Sequence, residues 1–599
     1  MKLTVSKSKN SASFYVQKSI RTKSGGTTTI TVEKLGNIEE VRARAKGKDP
    51  YEWAQEYVNE LNRQEHEQKK SIIVSYSPSK LLKKDEQKLF NVGYLFLQDI
   101  YTSLGLPKIC TDIASRHGFA YDLDEILSRL IYTRILYPSS KYSSNTLARK
   151  FVEQPGFGLH DIYRALSVLA EECDFIQSEV YQNSQKVLER RKDILYYDCT
   201  NYFFEIEEES GLKRYGKGKQ HQPMPIVGMG LFMDYDGIPI AFDIYPGNKN
   251  EQPTMKPLEQ KVIRDFGLSR IVVCTDAGLS SCANRKFNDH WLGEEALRNF
   301  ITTQSIKQLP AYLKEYALSP DGWRLPGDRT VYDLNEVDPG EFYDSIFYKE
   351  RWITEGITDR ERKNGLHPLE QHLIVSFSFK YQDYLRKIRQ GQVGRAQKLI
   401  DSGDYKKKGR NQNDPKRFIA RTSVTADGEV CDVEQAYIDT GRIAEEEMYD
   451  GFYAVCTNMI DVPVETIVHI NSKRWQIEEC FRIMKTEFRA RPVYLRNDDR
   501  IKAHFLTCFL ALFVYRILEK RLGEKFTCEN ILETLKDMMV ARPGDKLGYI
   551  PSYTRTDLTD ALHGAFGFRT DYEILTDISM KGIIRQTKKK PKLTARTKQ

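Results

Sequence analysis

Two aspartates and a glutamate stand at positions from which they could work together. Asp198 ends the apolar stretch ILYYD and Asp276 ends IVVCTD, so each carboxylate is placed where a buried strand emerges, a usual place for site residues on a sheet scaffold. Asp276 is followed by Ala277 and Gly278, a small pair that lets the chain turn and another group come close. Glu478 lies in INSKRWQIEECFRIMKTEF, residues 470–488. There Ile477, Phe481, Met484 and Phe488 recur at helical spacing, which predicts one buried face of a single amphipathic helix. With Arg474 at zero on the helical wheel, Glu478 falls at about 40° and Lys485 at about 20°, beside the stripe. Lys473, Glu479 and Arg482 point to other sectors and read as solvated surface. Brought together, the three acids offer hard oxygen ligands with no histidine or cysteine, a set that suits Mg²⁺ or Mn²⁺ and not zinc. Two such ions can activate a water or a 3′-hydroxyl and stabilise the leaving oxygen of an in-line phosphoryl transfer. Arg474 would then grip a phosphate through its fork and Lys485 as a point charge. The competing reading of Arg474 and Glu478 is an i,i+4 ion pair worth a few tenths of a kcal/mol.

Other chemistry-bearing residues have plainer explanations. Asp234, Asp236 and Asp243 are acids of the same kind, but Asp234 and Asp236 flank the turn signal DYDG. GLKRYGK (211–217) has the spacing of a phosphate loop, yet Gly218 stands where a magnesium-holding Ser/Thr belongs and QHQP follows in place of a helix. His504 in KAHFL reads as a core histidine. The ten cysteines are scattered singly, with no CxxC pair and no zinc spacing; Cys199, Cys274 and Cys508 lie in apolar stretches and read as reduced core filler.

The elements that must position the acids follow from texture. A chain of 599 residues is long enough for several cores, and its 40% hydrophobic and 29% charged residues are ordinary for a soluble protein. The first residues lack an apolar signal core, and RIKAHFLTCFLALFVYRILEKRL reads as a buried core helix rather than a membrane span, so a cytoplasmic protein with no membrane partner is expected. Net charge is +8, modest for the size, but the tail RQTKKKPKLTARTKQ and the loop YKKKGRNQNDPKR (405–417) concentrate basic groups. Residues 1–48 predict a β-hairpin module with its turn at Gly25-Gly26, and 49–190 a helical region. From 191 to 284 the order is β-β-β-α-β, the start of a mixed sheet covered by helices. Residues 285–448 read as an inserted subdomain of mixed helical and strand-like stretches, 449–525 as the second part of the core, and 526–599 as a helical region with the basic tail.

The motifs together resemble a known family. Arg474, Glu478 and Lys485 match the Tyr-x2-Arg-x3-Glu-x6-Lys signature of insertion-sequence DDE transposases of group four, with Asn471 at the tyrosine position. YYDCTNYFFE with Asp198 and VCTDAGLSS with Asp276 resemble the family's two aspartate motifs, and DYDGIPIAFDIYPGNKNE and RPVYLRNDDRIKAHFLTCFLAL extend the likeness. The resemblance implies an α/β, RNase H-like catalytic core interrupted by a β-rich insertion domain. It implies Asp198, Asp276 and Glu478 as metal-holding catalytic residues, with two Mg²⁺ (or Mn²⁺) ions as cofactors. The partners implied are double-stranded DNA, both terminal inverted repeats and target, and a second copy in a homodimer on paired ends. A bacterial or archaeal, nucleoid-associated setting goes with it. Some members pass through a hairpin intermediate in which an insertion-domain tryptophan stacks on a flipped base; for Trp323 and Trp352, core packing is the expectation. Two other readings share these residues: a non-catalytic DNA-binding descendant, and a metal-dependent nuclease without strand transfer.

Overall fold

In the computed structural model, the described residues are 1–589 apart from 9–10, 22–26, 69–76, 80, 82, 219–222, 269, 290, 293–295, 357–358, 364–367, 406–412, 425–429 and 545–547. The expected turn at Gly25-Gly26, most of the basic loop and the end of the basic tail lie outside them.

The chain divides into two compact units. The smaller comprises residues 1–88, 541–550 and 572–578. Its strands β1 (Lys2–Ser8), β2 (Ser11–Arg21) and β3 (Thr27–Asn37) form an antiparallel sheet in that order. The helices Ile38–Ala45 and Pro50–Gln68 close on it, burying Phe14, Val16 and Leu35 with Val41, Ala54 and Val58. Asn37 starts the first of these helices with a capping box, its side chain accepting from the Glu39 and Glu40 amides.

The larger unit opens with β4 (Leu89–Asn91) and a set of helices between Tyr94 and Ser184. The expected β-β-β-α-β order then follows as β5 (Ile194–Phe203), β6 (Ile226–Asp234), β7 (Pro239–Pro246), the helix Met255–Phe266 and β8 (Arg270–Thr275). Further strands are β9 (Trp291–Leu292), β10 (Ala296–Gln304), β11 (Phe347–Glu355), β12 (Leu369–Phe377), the hairpin β13 (Ile419–Val424) and β14 (Val430–Ile438), and β15 (Phe452–Thr457). The main sheet runs β11-β12-β15-β10-β8-β5-β6-β7, with β9 on β10. It is mixed: β8 lies parallel to both β5 and β10, and the other pairs are antiparallel. The segment 285–448 thus adds strands to this same sheet as well as the separate β13–β14 hairpin.

Alternation along β5 decides what covers each face. Leu195, Tyr197 and Cys199 point to one side, into a core with Met255, Leu258, Val262 and Phe266 of the covering helix. Tyr196, Thr200 and Tyr202 point to the other, where Tyr196 donates to Ile470 O (2.8 Å) and Tyr202 packs on Phe505. The helix Asp498–Arg521 is long and apolar enough to cross a membrane by length and composition, but 94% of its 18-residue apolar window is buried inside the fold. Trp323 is fully buried among Phe377, Phe452 and neighbours, as expected. Trp352 departs from expectation: it stands on the edge strand β11, 48% exposed, its ring stacked on His372.

Candidate active site

Strand register brings the two aspartates to the same end of a neighbouring strand pair. Leu195 pairs with Val273 and Tyr196 with Cys274 across the parallel β5–β8 pair. The ladder stops at that pair; Asp198 lies two residues beyond it on β5, and Asp276 lies two residues beyond it, just past the end of β8. Asp198 Oδ1 accepts from the Cys199 amide (2.7 Å). Asp276 caps a short 3-10 turn, its Oδ1 accepting from the Leu279 amide (3.1 Å).

The segment carrying Glu478 crosses the Asp198 face of β5, but not as one regular helix. It is a helix Val464–Ser472, a turn at Lys473-Arg474, a second helix Trp475–Arg482 and a π-helical turn Ile483–Glu487. In the π turn the Phe488 amide bonds to Ile483 O, five residues back. The expected position of Lys485 at about 20° therefore does not hold, because wider turns carry it off the regular wheel. The apolar stripe survives: Ile477, Phe481, Met484 and Phe488 are all buried. Tyr196 touches Ile470, and Lys485 Nζ donates to Thr200 Oγ1, so the residues on either side of Asp198 along its face meet the two ends of this segment. Cys480 Sγ lies against Met233 Sδ on β6. Arg474 and Glu478 lie on the flank that lines a cavity with Ser376 and Phe377 of β12 and Tyr453 and Val455 of β15.

Glu478 is exposed and forms the i,i+4 pair: Arg474 Nη1 donates to its Oε1 at 3.2 Å. Arg474 itself is mostly buried, and its Nε has no hydrogen-bond partner. Asn471 is buried, donates to the Tyr453 hydroxyl (2.9 Å) and leaves its own Oδ1 unpartnered. The Tyr453 hydroxyl also meets Thr303 Oγ1 (2.7 Å), so a phenol from β15 stands beside the position where the signature has tyrosine. The cavity, of about 390 Å³, adjoins, lined by Tyr381, Tyr453, Asn471, Arg474, Trp475 and Glu478 among others. Tyr196, Thr200 and Tyr453 were not singled out from sequence. The period of two in YYDCTNYF places the first two on the Asp198 face; nothing local points to Tyr453.

The other candidates resolve as structure. Among the described residues, the three ligand residues whose donor atoms lie within 4.8 Å of one another are Asp560, His563 and Asp571; the Asp198, Asp276 and Glu478 set is more open than that. Asp560 and Asp571 are tied by Arg569, Asp560 also by Arg555, and His563 Nε2 meets Thr570, so that cluster is an ion-pair network. Asp234 is fully buried on Arg190 and holds the DYDG turn. His504 is buried with Nε2 on Ala490 O (3.1 Å), held well below the usual imidazole range by burial, then by Arg134 and Lys141. Cys199, Cys274 and Cys508 are buried thiols, that of Cys199 donating to the Tyr197 hydroxyl.

Residues 202–514, more than half of the chain, match the transposase DDE domain family. Asp276, Glu478, Arg474 and Lys485 fall inside the match, and Asp198 lies four residues before it on the same strand. No curated protein matches the chain at a significant level. Among solved structures, a cryo-EM piggyBac transposase synaptic complex with hairpin DNA is similar at 10% identity, with a TM-score of 0.33 over 84% of this chain and 85% of that one. By the domain match, this chain belongs to the transposase DDE domain family.

Proposed function

We propose that the protein is an active DNA transposase of the group-four insertion-sequence type. In this reading it cleaves DNA at the terminal inverted repeats of its element and joins the freed 3′ ends to target DNA. The observation that supports it is the parallel β5–β8 pair, with Asp198 and Asp276 each two residues beyond its last paired residues and the Glu478 segment crossing the Asp198 face of β5. The mixed sheet with helices on both faces supports an RNase H-like core. Residues 49–190 serve as the end-binding region, and two copies act on paired ends.

The donor set fits divalent ions of the Mg²⁺ or Mn²⁺ kind, since it consists of carboxylates alone. A Cβ at position 278 would stand 3.4 Å from Asp276 Oδ1, so Gly278 keeps that side of the carboxylate open to another group. Asp198, Asp276 and Glu478 would hold the ions, which when bound supply charge to activate the attacking oxygen and stabilise the leaving one. Arg474 orients the Glu478 carboxylate, and its unpartnered Nε is a donor for a phosphate oxygen. Lys485, fixed on Thr200 one alternation beyond Asp198, brings positive charge to the strand end where the phosphate chain would run.

The test is a labelled duplex carrying the flanks of the protein's own gene, incubated in Mg²⁺ with wild type and Asp198→Asn. Cuts at discrete ends followed by strand joining, absent in the variant, are expected. Cuts without joining would make the protein a nuclease. The Arg474–Glu478 pair favours one alternative, a non-catalytic DNA binder in which Glu478 stays on its arginine; specific binding without cutting would identify it.

A further inference from the structure

A second cavity, of about 550 Å³, lies between the turn at Ser139-Ser140, the segment 489–495 that follows the π turn, and the helix carrying His504. Its lining holds Arg134, Lys141, Arg489 and Arg491 and no carboxylate. Lys141 is 4% exposed and its ammonium has no hydrogen-bond partner. Arg134, equally buried, spends Nη1 on Phe488 O (3.0 Å) and Nη2 on Ser139 O (3.0 Å), and its Nε is unpartnered. His504 adds no countercharge, since its Nε2 is engaged with Ala490 O. A buried unpaired ammonium beside a buried guanidinium is costly, and a fold keeps such a pair where an anion enters to meet it.

Resting on the transposase reading above, we infer that this cavity is a phosphate site that grips the DNA backbone away from the reacting bond. Its place in the fold favours DNA as the source. The Val493 amide bonds to Phe203 O (3.0 Å), docking the 489–495 segment at the end of β5, the strand that carries Asp198. From Asp198 to Phe203 the strand advances about 16 Å at ~3.3 Å per residue. A duplex covers that length in about five base pairs at ~3.4 Å each. Lys485 on Thr200 lies between the two, so positive charge continues from the acidic face to the cavity. Burial and Arg134 push the Lys141 ammonium down to about 7, so a phosphate that enters also restores its charge.

The test uses the full chain as wild type, Lys141→Met and Arg491→Gln, the last a half-buried position that serves if Lys141→Met does not fold. Melting is followed against inorganic phosphate at constant ionic strength, and affinity for a random-sequence duplex against salt. The expected result is a saturable rise in melting temperature with phosphate in wild type, lost in the variants. The slope of log K on log salt should also fall in magnitude by about 0.9 for the lost contact. An equal phosphate response and equal slope in wild type and variants would overturn the site. A lost phosphate response with an unchanged slope would overturn DNA as the source and leave a free-anion site. A wild type that binds no duplex at any salt would refute the transposase reading itself, and with it the DNA source.

Discussion

Asp234 and Asp198 are both strand aspartates, and substituting each to asparagine should separate structure from chemistry. Asp234 and Arg190 are fully buried, with Arg190 Nε on Asp234 Oδ2 at 2.6 Å. The other oxygen, Oδ1, accepts from the Asp236 amide (3.1 Å) and the Ile238 amide (2.8 Å), holding the turn between β6 and β7. Asparagine can keep both turn bonds through its own Oδ1, each worth about 1 kcal/mol. What it loses is the charge on Oδ2, and its NH2 then faces the Arg190 Nε–H, donor against donor in a dry site. Breaking a buried pair from one side costs about 3–5 kcal/mol. Asp234→Asn is therefore expected near 3 kcal/mol, and Asp234→Ala, which also gives up the turn bonds, nearer 5. The assay is urea unfolding followed by fluorescence and circular dichroism together, using the first cooperative transition. Cleavage per folded molecule should stay at the wild-type level in Asp234→Asn. Asp198→Asn should do the reverse, keeping stability within about 1 kcal/mol, since its amide oxygen can still accept from the Cys199 amide, and losing cleavage. An Asp234→Asn protein within 1 kcal/mol of wild type, or one fully folded yet inactive, would refute this division.

Four further outcomes are expected. Because the folded-state Lys141 titrates near 7 against an ordinary 10.5, the unfolded chain binds more protons at this site between those values, and stability owed to it rises with pH across that window. The advantage of Lys141→Met over wild type in unfolding free energy should then shrink by about 2 kcal/mol from pH 7 to pH 9. Trp323→Ala should cost about 3–5 kcal/mol and Trp352→Ala under ~1, read from paired melting curves, because the first fills a core and the second lies on an exposed edge. Asn471→Tyr should fold, its ring entering the adjoining cavity of about 390 Å³ at the loss of one hydrogen bond to Tyr453, with a melting temperature close to wild type. Chelation should abolish strand cleavage, Mg²⁺ or Mn²⁺ should restore it and Zn²⁺ should not, as scored on a sequencing gel.

The elements that carry the candidate site were legible from sequence where local pattern controls them. The alternation in ILYYDCTNYF and the apolar run IVVCTD fix two strands and the face of β5 that carries Asp198. The stripe Ile477, Phe481, Met484 and Phe488 likewise names the docking face of the Glu478 segment. The break at Lys473-Arg474 and the π turn were not legible, since no glycine or proline marks them and one wider turn leaves the apolar spacing nearly intact. Trp352 looked like a core residue because strand composition does not reveal that β11 is a sheet edge. Most remote from sequence is the basic cavity: Arg134 reaches a carbonyl 354 residues further along the chain, and only the folded helices bring the two together.

The most direct measurement compares Glu478→Gln with wild type for strand cleavage and joining on the element's own ends in Mg²⁺. Glu478 is exposed and its i,i+4 pair with Arg474 is worth only a few tenths of a kcal/mol, so the variant should fold, melt and bind DNA as wild type does. Loss of both cleavage and joining by at least about 100-fold in that intact protein is the predicted result, as for removal of a group that acts on the transition state. Cutting at the wild-type rate would reduce Glu478 to a surface ion pair and contradict its assignment to the active site.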